Sequence, residues 1–349
     1  MPLIPSVHIA SFLSGKDKLY ISKRTSLFIF ATLFSLTHIH CTDKKPVNAA
    51  ARSDSTATVN DIKEAAVWVA PDSLWIPREE NAELILYGRS LLTHTSEFFG
   101  PKGSIAHATN GMNCQNCHLT AGTRPFGNNY SAVFSTYPKF RARSGSVESI
   151  VKRVNDCFER SLNGKPLDST SREMQAIIAY MKWLGQDVEK GKTPKGAGLI
   201  ELKYLDRAAD PALGKLAFDS KCVTCHGADG QGKLAADGRS YQYPPLWGPH
   251  SYNTGAGLYR LSRFAGFIKG NMPYGTTYLS PQLTDEEAWD IAAYVNSMDR
   301  PNKPYVHDWP DISKKPIDLP FGPYADTFSV QQHKYGPFAA IQSFYKKPK

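Results

Sequence analysis

Five residues, Cys114-Gln115-Asn116-Cys117-His118, recur in form as Cys222-Val223-Thr224-Cys225-His226, and this pair of pentapeptides constrains the chain more than any other feature. Two thiols three positions apart, followed at once by an imidazole, form the attachment pattern of a c-type haem. The sulfurs bond the porphyrin vinyls and the histidine ligates the iron. A single copy would also suit a zinc half-site or a thiol redox pair. Neither copy is followed by a closely spaced Cys/His pair that would complete a tetrahedral zinc site. The expectation is two covalently bound haem c groups, held by Cys114, Cys117, Cys222 and Cys225, with His118 and His226 as axial ligands.

With 349 residues, 41% hydrophobic and 21% charged, the chain is long enough for two domains with real cores. Its formal charge of +9 comes from scattered rather than striped lysines, which argues against nucleic acid and for small anions or an acidic redox partner. Lys16, Lys18, Lys23 and Arg24 precede an apolar run from Ser26 to Leu36, so residues 1–41 read as a signal peptide. The run is too short for a comfortable membrane span. The expected location is the periplasm, since resemblance to c-type haem proteins implies maturation beyond the bacterial inner membrane. Cys41 leaves two alternatives open: simple cleavage nearby, or a lipoprotein anchor at Cys41, against which His40 stands where a small residue is usual. A disulfide from Cys41 to Cys157 is a weaker third reading. Residues 42–80 form a tether, polar at its start.

The remaining chain repeats one plan. Pro77 and Asn81 precede an apolar-periodic segment through Leu84, Ile85, Leu91 and Leu92, with Gly88 in its middle. Glycine costs a helix about 1 kcal/mol against alanine, so its presence suggests a close crossing. The crossing partner is expected after Thr170, where Thr170 and Glu173 read as a capping box and Gly185 as the stop. In the second half Asp210 and Pro211 open a helix containing Gly214, the second haem motif follows, and Thr284 with Glu287 opens a closing helix. This internal duplication resembles two fused class I cytochrome c domains and implies an all-α fold. The expected domains are 81–190 and 209–299, joined by a linker at 191–208. Residues 300–349 hold eight of the 24 prolines and are expected to form a long irregular C-terminal strap without regular helix, packed across both domains.

Each iron needs a second axial ligand. In domain two, Met272 lies in Gly270-Asn271-Met272-Pro273, before the closing helix, with Lys269 and His250 as competitors. A His/Met pair raises the potential and suits electron transfer. Domain one has no such methionine: Met174 and Met181 fall on the closing helix and read as core. Cys157 remains, with Lys139, Lys152 and Lys165 as weaker options and His94 and His107 upstream. A thiolate would donate strongly and lower the potential. Ser146 is expected to cap a helix running to about Asn163, on which Arg153, Cys157 and Ser161 share one flank. Arg141 and Arg143 lie just before it. Guanidinium groups are preferred forks for oxyanions, and a thiolate among them is accessible to sulfur chemistry.

The segment Arg153-Val154-Asn155-Asp156-Cys157-Phe158-Glu159-Arg160-Ser161-Leu162-Asn163-Gly164, the Asn271-Met272-Pro273 loop and the tail Gln332-His333-Lys334-Tyr335-Gly336-Pro337-Phe338 together resemble the dihaem thiosulfate dehydrogenases, or tetrathionate synthases, some of which run as tetrathionate reductases. The similarity spans about residues 80–341. It implies His118/Cys157 ligation at the active haem, with Arg143, Arg153 and Ser161 around the cysteine as substrate-binding groups. It also implies thiosulfate or tetrathionate as substrate and a c-type cytochrome or other redox protein as electron partner. Some relatives have a lysine beside the methionine and switch ligands there; Asn271 in this chain favours constant His226/Met272 ligation. Two other classes stay open: a non-catalytic dihaem electron carrier, and a haem-thiolate thiosulfotransferase that needs a carrier protein as acceptor.

Overall fold

Each pentapeptide lies between two helices that cross through a glycine. The computed structural model describes residues 66–346, so the signal segment, Cys41 with its alternatives and most of the tether lie outside the described residues. The first helix, α1 (Ala82–Thr93), buries Ile85, Gly88, Leu91 and Leu92 on one face. A short hairpin of β1 (Lys139–Arg141) and β2 (Ser146–Glu148) leads into α2 (Ile150–Arg160), and α3 (Arg172–Leu184) closes the domain. A Cβ added at Gly88 would stand 1.9 Å from the carbonyl oxygen of Ala176 and 3.0 Å from Cβ of Tyr180 on α3. Any side chain there would force the two backbones apart.

Domain two repeats the contact. Its opening helix α4 (Pro211–Lys221) is followed by the second motif, by a small hairpin of β3 (Lys233–Leu234) and β4 (Tyr241–Tyr243), by α5 (Leu261–Asn271) and by the closing helix α6 (Asp285–Ser297). A Cβ at Gly214 would stand 1.9 Å from the Asp290 carbonyl oxygen and 2.9 Å from Cβ of Tyr294. The glycine, the carbonyl and the tyrosine one turn later correspond in both halves. Each pair organises a core: Phe99, Phe158, Met174, Ile177 and Tyr180 in the first, joined there by Tyr252 and Ala256 of the second half, and Phe218, Leu261, Trp289 and Val295 in the second. The architecture is all-α, with only these two small sheets among the described residues. No helix among the described residues is long and apolar enough to cross a membrane.

The caps follow local chemistry, with two shifts from the sequence reading. Asp210 accepts from the Ala212 and Leu213 amides ahead of Pro211, and Thr284 with Glu287 forms a reciprocal box. On α3, however, the cap is Ser171, whose hydroxyl accepts from the Met174 amide at 3.2 Å; Thr170 instead donates to Asp168. On α2 the cap is Ser149 rather than Ser146, because the hairpin register pairs Ser146 with Arg141 and so draws it into β2. α2 ends at Arg160, with Ser161 as its C-cap.

The tail differs from the expectation at its end. It runs without regular helix past its proline cluster, apart from one 3-10 turn, then forms α7 (Val330–Tyr335) and α8 (Ala339–Lys346). Ser329 caps α7 through the Gln332 amide, and Pro337 falls between the two helices, where a missing N–H costs nothing. Phe338 and Ile341 are buried in the domain-two core. His333 is buried between the Ile317 carbonyl at 2.6 Å and the Asp326 carboxylate at 2.9 Å. Earlier in the strap, Asp308 and Trp309 reach domain one, so the tail does lie across both halves.

Overpacking a tight core contact costs about 1–3 kcal/mol. Gly88→Ala and Gly214→Ala should each destabilise the chain by at least that much in denaturant unfolding. Gly257→Ala should stay within about 0.5 kcal/mol, since its added Cβ meets nothing within 4 Å.

Candidate active site

A cavity lies beside the first motif, lined by Cys114, Cys117, His118, Arg153, Cys157 and Ser161, with Met112, Phe158 and Met181 among its apolar walls. The His118 ring reaches the Asn128 carbonyl through Nδ1 at 2.5 Å, which commits that nitrogen to the backbone and leaves Nε2 for an iron. Tyr130 stacks on the same ring with centroids 4.5 Å apart. Burial pushes the imidazole down to about 4, so it is neutral, as a ligand must be. Burial likewise raises the Cys114 and Cys117 thiols to about 12, and neither is paired in a disulfide. This donor set fits a c-type haem.

A larger cavity holds the second set: Cys222, Cys225, His226 and Met272 line it together. His226 Nδ1 lies 3.0 Å from the Pro244 carbonyl, repeating the orientation of the first site. Lys269, a competitor for this iron by sequence, is spent on the Leu283 carbonyl and the Asp285 carboxylate, both at 2.7 Å, and His250 is exposed and off the cavity. The donors again fit a haem. Cys117 and Met112 line both cavities, so the two sites share a wall.

In the first cavity Arg153 Nη1 donates to Cys157 Sγ at 3.0 Å, one turn away on α2. The cysteine's charge holds the guanidinium above its ordinary range, despite burial. None of the weaker ligand options shares this cavity. Lys152 bonds Asp156 at 2.5 Å, Lys139, Lys165 and His107 are exposed, and His94 pairs with Glu97 at 3.1 Å by the second cavity. Ser161, at the helix end, also faces the cavity.

Arg143 is not brought to that wall. It lines an adjoining recess with Arg160 and Asp308, where burial and the neighbouring Arg160 charge lower it to about 10. Its guanidinium donates to the Gly255 carbonyl at 3.1 Å and lies over the Trp309 ring, 5.5 Å from the centroid. Arg160 was silent in the sequence reading. It is buried, pairs bidentately with Asp308 at 2.7 and 2.8 Å, and stacks 3.8 Å over Tyr305. No spacing signal could have joined it to a strap residue 148 positions away. The orienting carbonyls of Asn128 and Pro244 were equally invisible, since any residue carries a carbonyl.

Comparison with known proteins agrees with this duplicated arrangement. Residues 104–189 match the model of the SoxA/TsdA cytochrome c domain, and residues 211–299 match that of cytochrome c. The thiosulfate dehydrogenase of Psychrobacter arcticus is 38% identical over 270 residues, covering 76% of this chain and 79% of the relative. The chain belongs to the thiosulfate dehydrogenase family. The family's Allochromatium vinosum member is 40% identical over 235 residues, 66% of this chain and 83% of its own. The solved thiosulfate dehydrogenase (TsdBA) of Marichromatium purpuratum superposes with a TM-score of 0.63 at 31% identity over 68% of this chain. This chain spans half the length of that structure.

Breaking one side of a buried ion pair costs about 3–5 kcal/mol. Asp308→Ala leaves Arg160 only Asp156, whose nearest oxygen is 3.6 Å away, and should lower unfolding stability by that order. The double variant Arg160→Met/Asp308→Leu should recover part of the loss, since it strands no charge.

Proposed function

We propose that this chain is a dihaem oxidoreductase that joins two thiosulfate ions into tetrathionate, or runs the reverse reduction. The observation that carries this reading is Cys157, bonded by Arg153 on the same cavity wall as Cys114, Cys117 and His118, in a chain 38% identical to a thiosulfate dehydrogenase. Two haems, thioether-bound at Cys114/Cys117 and Cys222/Cys225, would supply one-electron acceptors, with His118/Cys157 and His226/Met272 as axial ligands. Electrons would leave to a c-type cytochrome or similar redox protein. The protein would act in the periplasm.

The residues have definable tasks. Thiosulfate is a dianion, and two of them repel, so much of the barrier is one of approach. Arg153 in the cavity offers a fixed cationic fork, Ser161 a hydroxyl, and Arg143 in the adjoining recess a second cation for the outer end of a longer anion. The Cys157 thiolate and one thiosulfate form a sulfur–sulfur bond with loss of two electrons, giving a Cys157 thiosulfonate. The second thiosulfate attacks the sulfane sulfur of that adduct. Tetrathionate leaves and the thiolate is restored; no proton is gained or lost. Arg153, within 3.0 Å of Sγ, stabilises the thiolate both as attacking and as leaving group.

The test is tetrathionate formation from thiosulfate by the haem-loaded protein with ferricyanide as acceptor, and the reverse with a reduced dye. Cys157→Gly should retain two haems by pyridine haemochrome and lose turnover in both directions. Arg153→Met should lower kcat/KM by about 10²-fold or more, as removal of a charge-stabilising donor commonly does. Near-normal turnover by Cys157→Gly would overturn the thiosulfonate route.

A further inference from the structure

The loop that orients His118 and the loop that carries Met272 are bolted to each other. Residues 124–128 form a tight turn in which Phe126 and Asn128 take φ values of +54° and +60°, a left-handed conformation that a bulky residue rarely adopts. The turn aims two carbonyls, two residues apart, at different centres. The Asn128 carbonyl meets His118 Nδ1 at 2.5 Å. The Phe126 carbonyl accepts from the Asn271 amide at 3.0 Å, and Asn271 immediately precedes Met272.

Further ties hold the same two loops. Arg124 donates to the Thr276 carbonyl, and the Phe126 and Tyr278 rings lie 4.9 Å apart. Behind the turn, the Phe126 and Asn128 amides donate to the Gly196 and Gly198 carbonyls at 2.7 and 2.8 Å. Ile200, just beyond, packs so closely on α5 that a Cβ at Gly266 would stand 2.0 Å from its carbonyl oxygen. Asn271 itself is 2% exposed, donates also to Phe267 at 3.1 Å, and has a buried side-chain oxygen with no protein partner. A buried polar group in a part-satisfied position is costly to keep in a core, which argues for a task.

We propose that Asn271 is a positioning residue that fixes the Met272 loop against the His118 loop, so that the ligand environment of each iron is sensed at the other. Electron exchange between the centres then depends on one shared brace rather than on two independent domains. This inference rests on the haem reading of both cavities, and haem content is measured separately from the brace.

The experiment uses the full haem-loaded chain. Asn271→Leu keeps the volume and removes both donors. It should still bind two haems by pyridine haemochrome. The shielded methionine methyl signal of the reduced second centre should weaken in the proton NMR spectrum. The potential of that centre should fall by the equivalent of a tenfold change in its electron equilibrium, 59 mV for one electron. The potential of the first centre should move by at least a twofold equivalent. Tyr278→Ala, at a half-buried position, should give the same pattern at smaller size and decides the matter if Asn271→Leu fails to fold. Unchanged potentials at both centres, or a change confined to the second, would overturn the brace. Fewer than two haems in the parent protein would overturn the haem reading itself.

Discussion

A backbone carbonyl of one helix occupies the space where a side chain of the other would begin, at Gly88 against Ala176 and again at Gly214 against Asp290. This contact sets the distance between the opening and closing helices of each domain, and that distance sets the rest. It turns Tyr180 and Tyr294 into the walls of the cores, and it holds the segment between the helices as a loop wrapped around a cavity. Helix packing at such separations depends on small residues, because axes cannot come close over a Cβ. The duplication of the chain is at bottom a duplication of this crossing.

Within that frame the two halves are put to different uses. Both histidines are tethered through Nδ1 to a backbone carbonyl, yet the chemistry around them diverges. The second cavity is closed by Met272, whose thioether carries no charge. The first contains a cysteine bonded by a half-buried arginine, with two more arginines in the adjoining recess. Of those three cations, Arg160 is matched by Asp308 and Arg153 leans on Cys157, while Arg143 has a carbonyl and an aromatic face. The recess also holds the buried carboxylates of Glu148 and Asp156, so what distinguishes Arg143 is the neutral character of its own partners rather than a net charge of the site.

What was legible in the sequence was what depends on residue type at fixed spacing. The paired pentapeptides, the capping residues Asp210 and Thr284 and the crossing glycines carry their meaning locally. The cysteine helix was legible for the same reason, since Arg153 and Cys157 are neighbours by helical geometry. Its start was misplaced by three residues because a serine can cap a helix or sit in a strand, and only the hairpin register decided between Ser146 and Ser149. Arg143 was grouped with Cys157 by the family resemblance and by nearness in the chain, and the hairpin and strap hold it in the next recess. The helices at the end of the strap were hidden by a composition dominated by proline further upstream. Arg160 with Asp308, and Asn271 with the Phe126 carbonyl, are long-range pairings that no local pattern encodes.

The strap has a consequence for how the protein is made. Cys157 and its three arginines lie in the first half of the chain, but the partners that hold two of those arginines, Asp308 and Trp309, come near its end. Domain one can bring α1 and α3 together early, although its core is completed only by Tyr252 and Ala256 of the second half. The recess of Arg143 and Arg160 cannot be finished until nearly the whole polypeptide has arrived and folded back. The order of synthesis thus separates the appearance of the first cysteine–histidine pair from the completion of its surroundings, and a chain cut short before residue 308 would keep Cys157 and Arg153 while leaving Arg160 without Asp308 and Arg143 without the Trp309 ring.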